Sequence, residues 1–271
     1  MIKVCKNLTD VPDSLRVDSI SIEKDPAKTT HARRMEVITQ GRYPDSGKSK
    51  KFDDRYKYKD IKEKLNLIYH HKCAFCETSV ELLHVDHFRP KRGGYYWLAF
   101  SWDNLLLLCP KCNEFKSDLF PTNKARVQYD SSRDEIGKIH SLSATYDNLE
   151  EPLLVNPETL DPSIFDQLVF DKNGQISSSD KRLSKTVSIC HLCRPYLNER
   201  RKKIWDDLEK EIRYAVLTEQ TKEGLAGAFN TILTTFKAKM NDPEKPYIAF
   251  RKYILRKDWI KELLKGLGVI I

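Results

Sequence analysis

The spacing of apolar positions along this chain changes several times, and each change predicts an element. In the first 45 residues short apolar patches are broken by Pro12, Pro26 and Pro44, which predicts irregular structure with a helix over about 27–40. Ile61, Leu65 and Ile68 recur at helical spacing and predict a second helix. It follows the crowded stretch SGKSKKFDDRYKYKDIKEK over 46–64, whose start reads as a mobile loop and whose charges read as a solvated face ahead of a nucleic-acid contact. Leu82 to His87 reads as a strand stopped by Pro90, Asn104 to Leu108 as a second apolar strand, and Asn113 to Lys116 as the start of a short helix. Phe165 to Phe170 followed by DKNGQI predicts a hairpin turning on Asn173-Gly174. From about Asp180, Leu183, Val187, Leu192, Leu197, Ile204, Leu208 and Ile212 line one side of one or two long helices. A last helix is expected over about 246–265, with Tyr253, Trp259, Ile260, Leu263 and Leu264 inward. The pattern divides the chain into 1–69, 70–123 and 124–271. Its fold class is α+β, mostly helical, around a central strand–loop–strand–helix unit.

Composition narrows the function. Hydrophobic residues make up 40% and charged residues 32% of 271, and no apolar run approaches the roughly 20 residues of a membrane span. The start MIKVCKNLTDVPDS lacks the apolar stretch of a secretory signal, so a cytoplasmic protein with no membrane partner is expected. Lys and Arg number 47 against 39 Asp and Glu, a net charge of +8 that suits a polyanion such as nucleic acid. Six of the seven cysteines stand in C-x-x-C pairs. Cys73-x-x-Cys76 and Cys109-x-x-Cys112 form two knuckles offering four thiolates, the donor set of a closed structural Zn²⁺ site. Cys190-x-x-Cys193 falls within the helical pattern SKTVSICHLCRPYL. It is expected to be two small buried hydrophobes on one helix face and not a second zinc site.

The segment between the knuckles resembles the ββα-metal motif of HNH endonucleases. The resemblance is carried by Asp86-His87-Phe88-Arg89-Pro90, then Asp103-Asn104-Leu105, then Cys109-x-x-Cys112-Asn113-x-x-Lys116. The last motif position is Asn113 where many members have His, an alternative that supplies an oxygen ligand. A narrower resemblance covers most of the chain. Cys-Ala-Phe-Cys-Glu, His-Phe-Arg-Pro-Lys and Thr-Val-Ser-Ile-Cys-His-Leu-Cys-Arg-Pro-Tyr-Leu-Asn-Glu-Arg-Arg look like blocks of the PtuB family, the HNH component of Septu anti-phage systems and of some retrons. Residues before about 45 and after about 215 match it loosely.

The resemblance implies a metal-dependent endonuclease. His87 would be the general base, since an imidazole titrates near working pH. Asp86 and Asn113 would hold a hard Mg²⁺ or Mn²⁺ through oxygen, and Asn104 would orient the loop carrying His87. Arg89 and Lys116 are expected to clamp phosphate, ahead of Lys91 and Arg92. His84 shares a strand face with Asp86 and reads as a surface histidine ahead of a neighbour of the metal. Tyr95, Tyr96 and Trp97 are expected to pack the core ahead of stacking on bases. The implied substrate is nucleic acid, DNA ahead of RNA. The implied partner is a PtuA-like ATPase, as the chain has no G-x-x-x-x-G-K-[ST] loop of its own. A stand-alone restriction or toxin nuclease, and a non-catalytic zinc-dependent nucleic-acid-binding module, are the competing readings.

Overall fold

A computed structural model describes residues 1–20, 28–44 and 54–269; the loop expected over 46–53 lies outside the described residues. Helix α1 (Thr30–Gln40) starts where the Thr29 side chain accepts from the Ala32 amide, and ends at Gly41, whose φ of 63° closes the helix without a Cβ penalty. Helix α2 (Lys59–Ile68) buries Ile61 and Leu65, two of the three residues that predicted it.

The two strands of the central unit are shorter than the sequence suggested, and its helix starts earlier. Strand β1 is His84–His87 and strand β2 is Leu105–Leu108, paired antiparallel with His84 opposite Leu108 and His87 opposite Leu105. In β1 Val85 and His87 are buried while His84 and Asp86 are half-buried, the alternation of a sheet with one covered face. In β2 all four leucines are buried, which marks a strand covered on both faces. Each contributes about 1.5–3 kcal/mol of hydrophobic stabilisation. Helix α2 and helix α3 (Pro110–Lys116) both pack on this hairpin. Pro110 occupies the first turn of α3, and the Cys109 sulfur accepts from the Cys112 amide at 3.4 Å, so the second knuckle also caps the helix.

Two short helices, α4 (Leu142–Thr145) and α5 (Asp147–Glu150), follow, then the hairpin of β3 (Leu168–Phe170) and β4 (Ile176–Ser178). Gly174 turns it with φ 77°, and an added Cβ there would lie 2.3 Å from the Asn198 carbonyl oxygen. Helix α6 (Lys181–Ile189) is capped by Asp180, which accepts from the Leu183 amide at 2.8 Å. Helices α7 (Pro195–Thr218) and α8 (Lys222–Asn241) then run as neighbours. Helix α8 escaped the sequence pattern because its only fully buried residue is Phe236. The last helix is two pieces, α9 (Ile248–Arg256) and α10 (Trp259–Gly266). The break at Lys257-Asp258 lets Trp259 pack edge-on to Trp205 and Tyr253, 5.3 and 5.6 Å between ring centroids.

The protein is thus α+β, with small sheets among many helices. One cluster of buried side chains includes Leu15 and Val37, the β2 leucines, and Trp205 and Phe250, so all three stretches of the chain contribute to a shared core. Tyr95 and Trp97 belong to it as the packing reading expected; Tyr96 is half-buried at its edge. Among the described residues no helix is long and apolar enough to cross a membrane.

Candidate active site and thiol cluster

The sulfurs of Cys73, Cys76, Cys109 and Cys112 lie within 4.8 Å of one another, and all four residues are buried. Cys76 and Cys109 are 3.7 Å apart. A tetrahedron with metal–sulfur bonds of about 2.3 Å has edges of about 3.8 Å, so the donor set and its spacing fit one zinc ion. The first knuckle is tied to the hairpin by the Ala74 amide, which donates to the Leu107 carbonyl at 2.8 Å. The thiols share their protons unequally. A mutual hydrogen bond holds Cys109 below the ordinary thiol value and Cys112 above it.

Around the sulfurs stand residues that the motif did not announce. Arg194, just before α7, directs its guanidinium to Cys109 and Cys112 at 3.6 Å. Burial disfavours its charge, yet the sulfurs of Cys112 and Cys76 hold it protonated above the usual arginine value. The Thr78 hydroxyl lies 3.2 Å from the Cys76 sulfur and 3.1 Å from the Tyr247 hydroxyl. The only advance signal for Arg194 was its place beside Cys193.

The third C-x-x-C pair is not inside a helix. Cys190 and Cys193 both lie in the break between α6 and α7, and His191 between them has φ 46°. Cys190 is buried as expected, but Cys193 is exposed and its thiol donates to the Ile176 carbonyl at 2.9 Å. Neither joins a metal-ligand group among the described residues. Pro195 sets the helix start, which the apolar periodicity alone did not reveal.

His87 ends β1 with its ring 2% exposed. Its Nε2 donates to the Ala99 carbonyl at 2.9 Å, which leaves the lone pair on Nδ1. Burial, with the nearby charge of Lys91, pushes the imidazole well below the usual histidine value, so the ring is neutral with its lone pair on Nδ1, and it does not titrate near working pH as the sequence reading expected. Asn104 is completely buried and holds this corner. Its Oδ1 accepts from the Arg89 amide at 2.8 Å, and its Nδ2 donates to the Arg89 and Leu98 carbonyls at 3.0 and 3.2 Å. Both functions of one amide are spent on the backbone following His87.

Asp86 and His84 lie on the half-buried face of β1, against which α3 packs. The Asn113 Nδ2 donates to the His84 Nδ1 at 3.3 Å. His84 is therefore a neighbour of the candidate ligands, against the surface reading given to it. Carboxylate and amide oxygens on an accessible face fit a hard divalent cation that keeps open positions.

The two expected phosphate clamps are corrected. Arg89 is fully buried, donating to Glu150 at 2.8 Å, Ser143 at 3.0 Å and Asp147 at 2.7 Å. Its side chain turns inward over the Phe88, Phe120 and Tyr146 rings and has no face left for a phosphate. Lys116 is also fully buried; it stands 2.8 Å from Asp86 Oδ2 and donates to the His87 carbonyl at 2.6 Å. It braces the two motif residues from behind. Lys91, ranked below both, reaches His87 instead, with Nζ 3.4 Å from Nδ1. Tyr56 was also missed; its ring meets the imidazole edge-on at 4.5 Å. It sits within the charged run, where no periodicity marked it.

Comparison with known proteins follows the same lines. The chain is 29% identical over 231 residues to Septu protein PtuB of Bacillus mycoides (strain KBAB4), covering 72% of this chain and 73% of that protein. It is 26% identical over 190 residues to Septu protein PtuA of the same strain, covering 64% of this chain but 23% of that much longer protein. The family model for HNH endonucleases matches residues 72–119, the stretch that runs from the first knuckle through β1, β2 and α3, and the chain thus carries an HNH endonuclease domain.

Proposed function

We propose that this protein is a metal-dependent endonuclease that hydrolyses phosphodiester bonds, of DNA ahead of RNA, as the effector of a Septu-type anti-phage system. The observation that carries the reading is His87: a buried neutral imidazole with Nε2 committed to a carbonyl and its lone pair on Nδ1, next to Asp86 at the end of β1. A binding module needs no such base.

In the reaction a water placed at His87 Nδ1 gives up its proton to that nitrogen as its oxygen bonds to phosphorus. The bond from phosphorus to the 3′-oxygen breaks, and the leaving oxygen takes a proton from solvent. Asp86 and Asn113 would hold the Mg²⁺ or Mn²⁺ whose charge offsets that building on the phosphate. Asn104 keeps the His87 corner fixed, and Lys116 holds the Asp86 carboxylate in place. The four cysteines would bind a structural Zn²⁺ that fixes the start of α3 and so the position of Asn113.

The defence role rests on the two relatives' names. Both are Septu proteins, and the longer one resembles this chain over part of its length. We read the chain as working with a PtuA-like ATPase subunit in the cytoplasm. The deciding experiment compares wild type and His87→Ala on plasmid DNA and on RNA, with Mg²⁺ or Mn²⁺ added. His87→Ala is expected to cleave about 10²–10⁴-fold more slowly, with zinc content and melting temperature unchanged. Cleavage by His87→Ala at the wild-type rate, in preparations free of contaminating nuclease, would remove the base assignment.

A further inference from the structure

The wall facing His87 is supplied partly by residues that precede the HNH domain. Tyr56 lies against the imidazole, and Tyr43 lies edge-on to Tyr56 with 6.2 Å between ring centroids. The Tyr43 hydroxyl donates to one oxygen of Asp54, and Lys57 donates to the other at 2.7 Å, so this corner is fixed by its own hydrogen bonds. Lys91 extends over both rings, its Nζ 4.5 Å from the Tyr56 centroid and 5.2 Å from that of Tyr43. Ring faces attract an ammonium but do not neutralise it. Among the described residues no carboxylate makes an ion pair with Lys91. Burial lowers its pKa to about 8, with Asp86 and Asp54 acting at longer range to raise it. It therefore remains largely charged at neutral pH while lacking a direct anionic partner.

The position of this charge matters more than its size. A water activated by His87 must sit within about 2.6–3.2 Å of Nδ1, and Lys91 Nζ is 3.4 Å from that same atom. Any phosphate attacked by such a water comes within reach of the ammonium. Arg89 and Lys116, the cations nearest in the motif, are spent inside the protein.

We propose that Lys91, cradled by Tyr43 and Tyr56, is the residue that binds a non-bridging oxygen of the scissile phosphate and sets phosphorus in front of the water at His87. This deepens the nuclease reading and rests on it for the word scissile. In the free protein the ammonium faces the imidazole lone pair. An arriving phosphate draws it away and leaves Nδ1 to the water, so the cation that binds substrate also uncovers the base.

The test uses the full chain as wild type, Lys91→Met and Lys91→Arg, with zinc content and melting temperature as folding controls. Met keeps the aliphatic stem on the rings, and Arg keeps the charge. Affinity for a short DNA duplex, measured across salt concentrations without added divalent cation, should lose about 0.9 from its log–log salt slope in Lys91→Met, and Lys91→Arg should restore it. With Mg²⁺ or Mn²⁺, kcat should fall about 10²–10³-fold in Lys91→Met, the scale of removing one charge-stabilising donor, with KM changing less. Lys91→Arg should recover part of kcat. An unchanged salt slope with a fallen kcat would overturn the proposal, because Lys91 would then only position His87. A changed slope with wild-type kcat would also overturn it, since the phosphate met would not be the scissile one. If wild type cleaves neither DNA nor RNA, the nuclease reading fails by itself, and an unchanged slope would then remove the phosphate contact too.

Discussion

Cys112 and Asn113 are neighbours on α3, yet they face sites of opposite character. On the cysteine side four sulfurs converge in the interior, and Arg194, from far along the chain, and Thr78, two residues after Cys76, close over them. On the asparagine side Asp86, His84 and Asn113 are all half-buried, and one hydrogen bond, Asn113 to His84, joins the last two. The closed site has a complete ligand set, so a cation there contributes folding free energy. The open site offers few donors, so a cation there keeps positions for water and phosphate. One helical turn thus joins a closed, buried thiol cluster to an open, half-buried polar face.

The largest expected effect separates the two sites outright. Cys76→Ser, or removal of zinc by a strong chelator under denaturing conditions, should abolish cooperative refolding, because the binding free energy of a structural zinc is folding free energy, about 10–16 kcal/mol in zinc-finger peptides. Mild dialysis that removes only weakly held divalent cations should stop cleavage while leaving the melting curve unchanged, and added Mg²⁺ or Mn²⁺ should restore it. Loss of fold under the mild treatment would erase the distinction. Next in size, Asn104→Ala should affect both stability and rate. It removes the side-chain partners of the Arg89 amide and the Arg89 carbonyl, while the Leu98 carbonyl keeps the Ser101 amide, at about 1–3 kcal/mol for each buried group left unsatisfied. Thermal unfolding and single-turnover cleavage check this together; a slower enzyme of wild-type stability would mean that Asn104 does more than hold the loop. The smallest effect belongs to Arg194→Met. It should weaken zinc binding about 10–100-fold, as loss of a partner to metal ligands typically does, while kcat at saturating zinc stays the same. Competition with a chromogenic chelator reads the first quantity.

The same contrast explains what the sequence could disclose. The closed site was legible because its ligands are local pairs at fixed spacing, and a knuckle needs little else. The hairpin and α3 were legible too, apart from a residue or two at the strand starts and three at the start of α3, which begins at Pro110 and not Asn113. The partners of each site were not. Arg194 reaches the sulfurs from 82 residues beyond Cys112, and Tyr56 reaches His87 from a run of charges with no apolar period. Arg89 and Lys116 were expected to face phosphate because both are basic and near the motif. Residue type gives charge but not direction, and the carboxylates of half-buried Asp147 and buried Glu150 drew Arg89 inward. Helix α8 escaped notice for a related reason: a helix that packs by one edge leaves a weak stripe.

The inward turn of Arg89 also decides how this nuclease unit can be moved between proteins. A graft limited to residues 72–119 would carry the buried guanidinium but leave Asp147 and Glu150 behind. Stripping a buried charge of its partners costs about 3–5 kcal/mol, a large share of what holds a small domain together. The exchangeable piece is therefore longer than the recognisable one. It extends forward to Glu150 to keep Arg89 neutralised, and back to Tyr56 to keep the ring that packs against His87. A designer who trimmed to the motif would inherit every ligand and lose the counter-charges that let the corner fold.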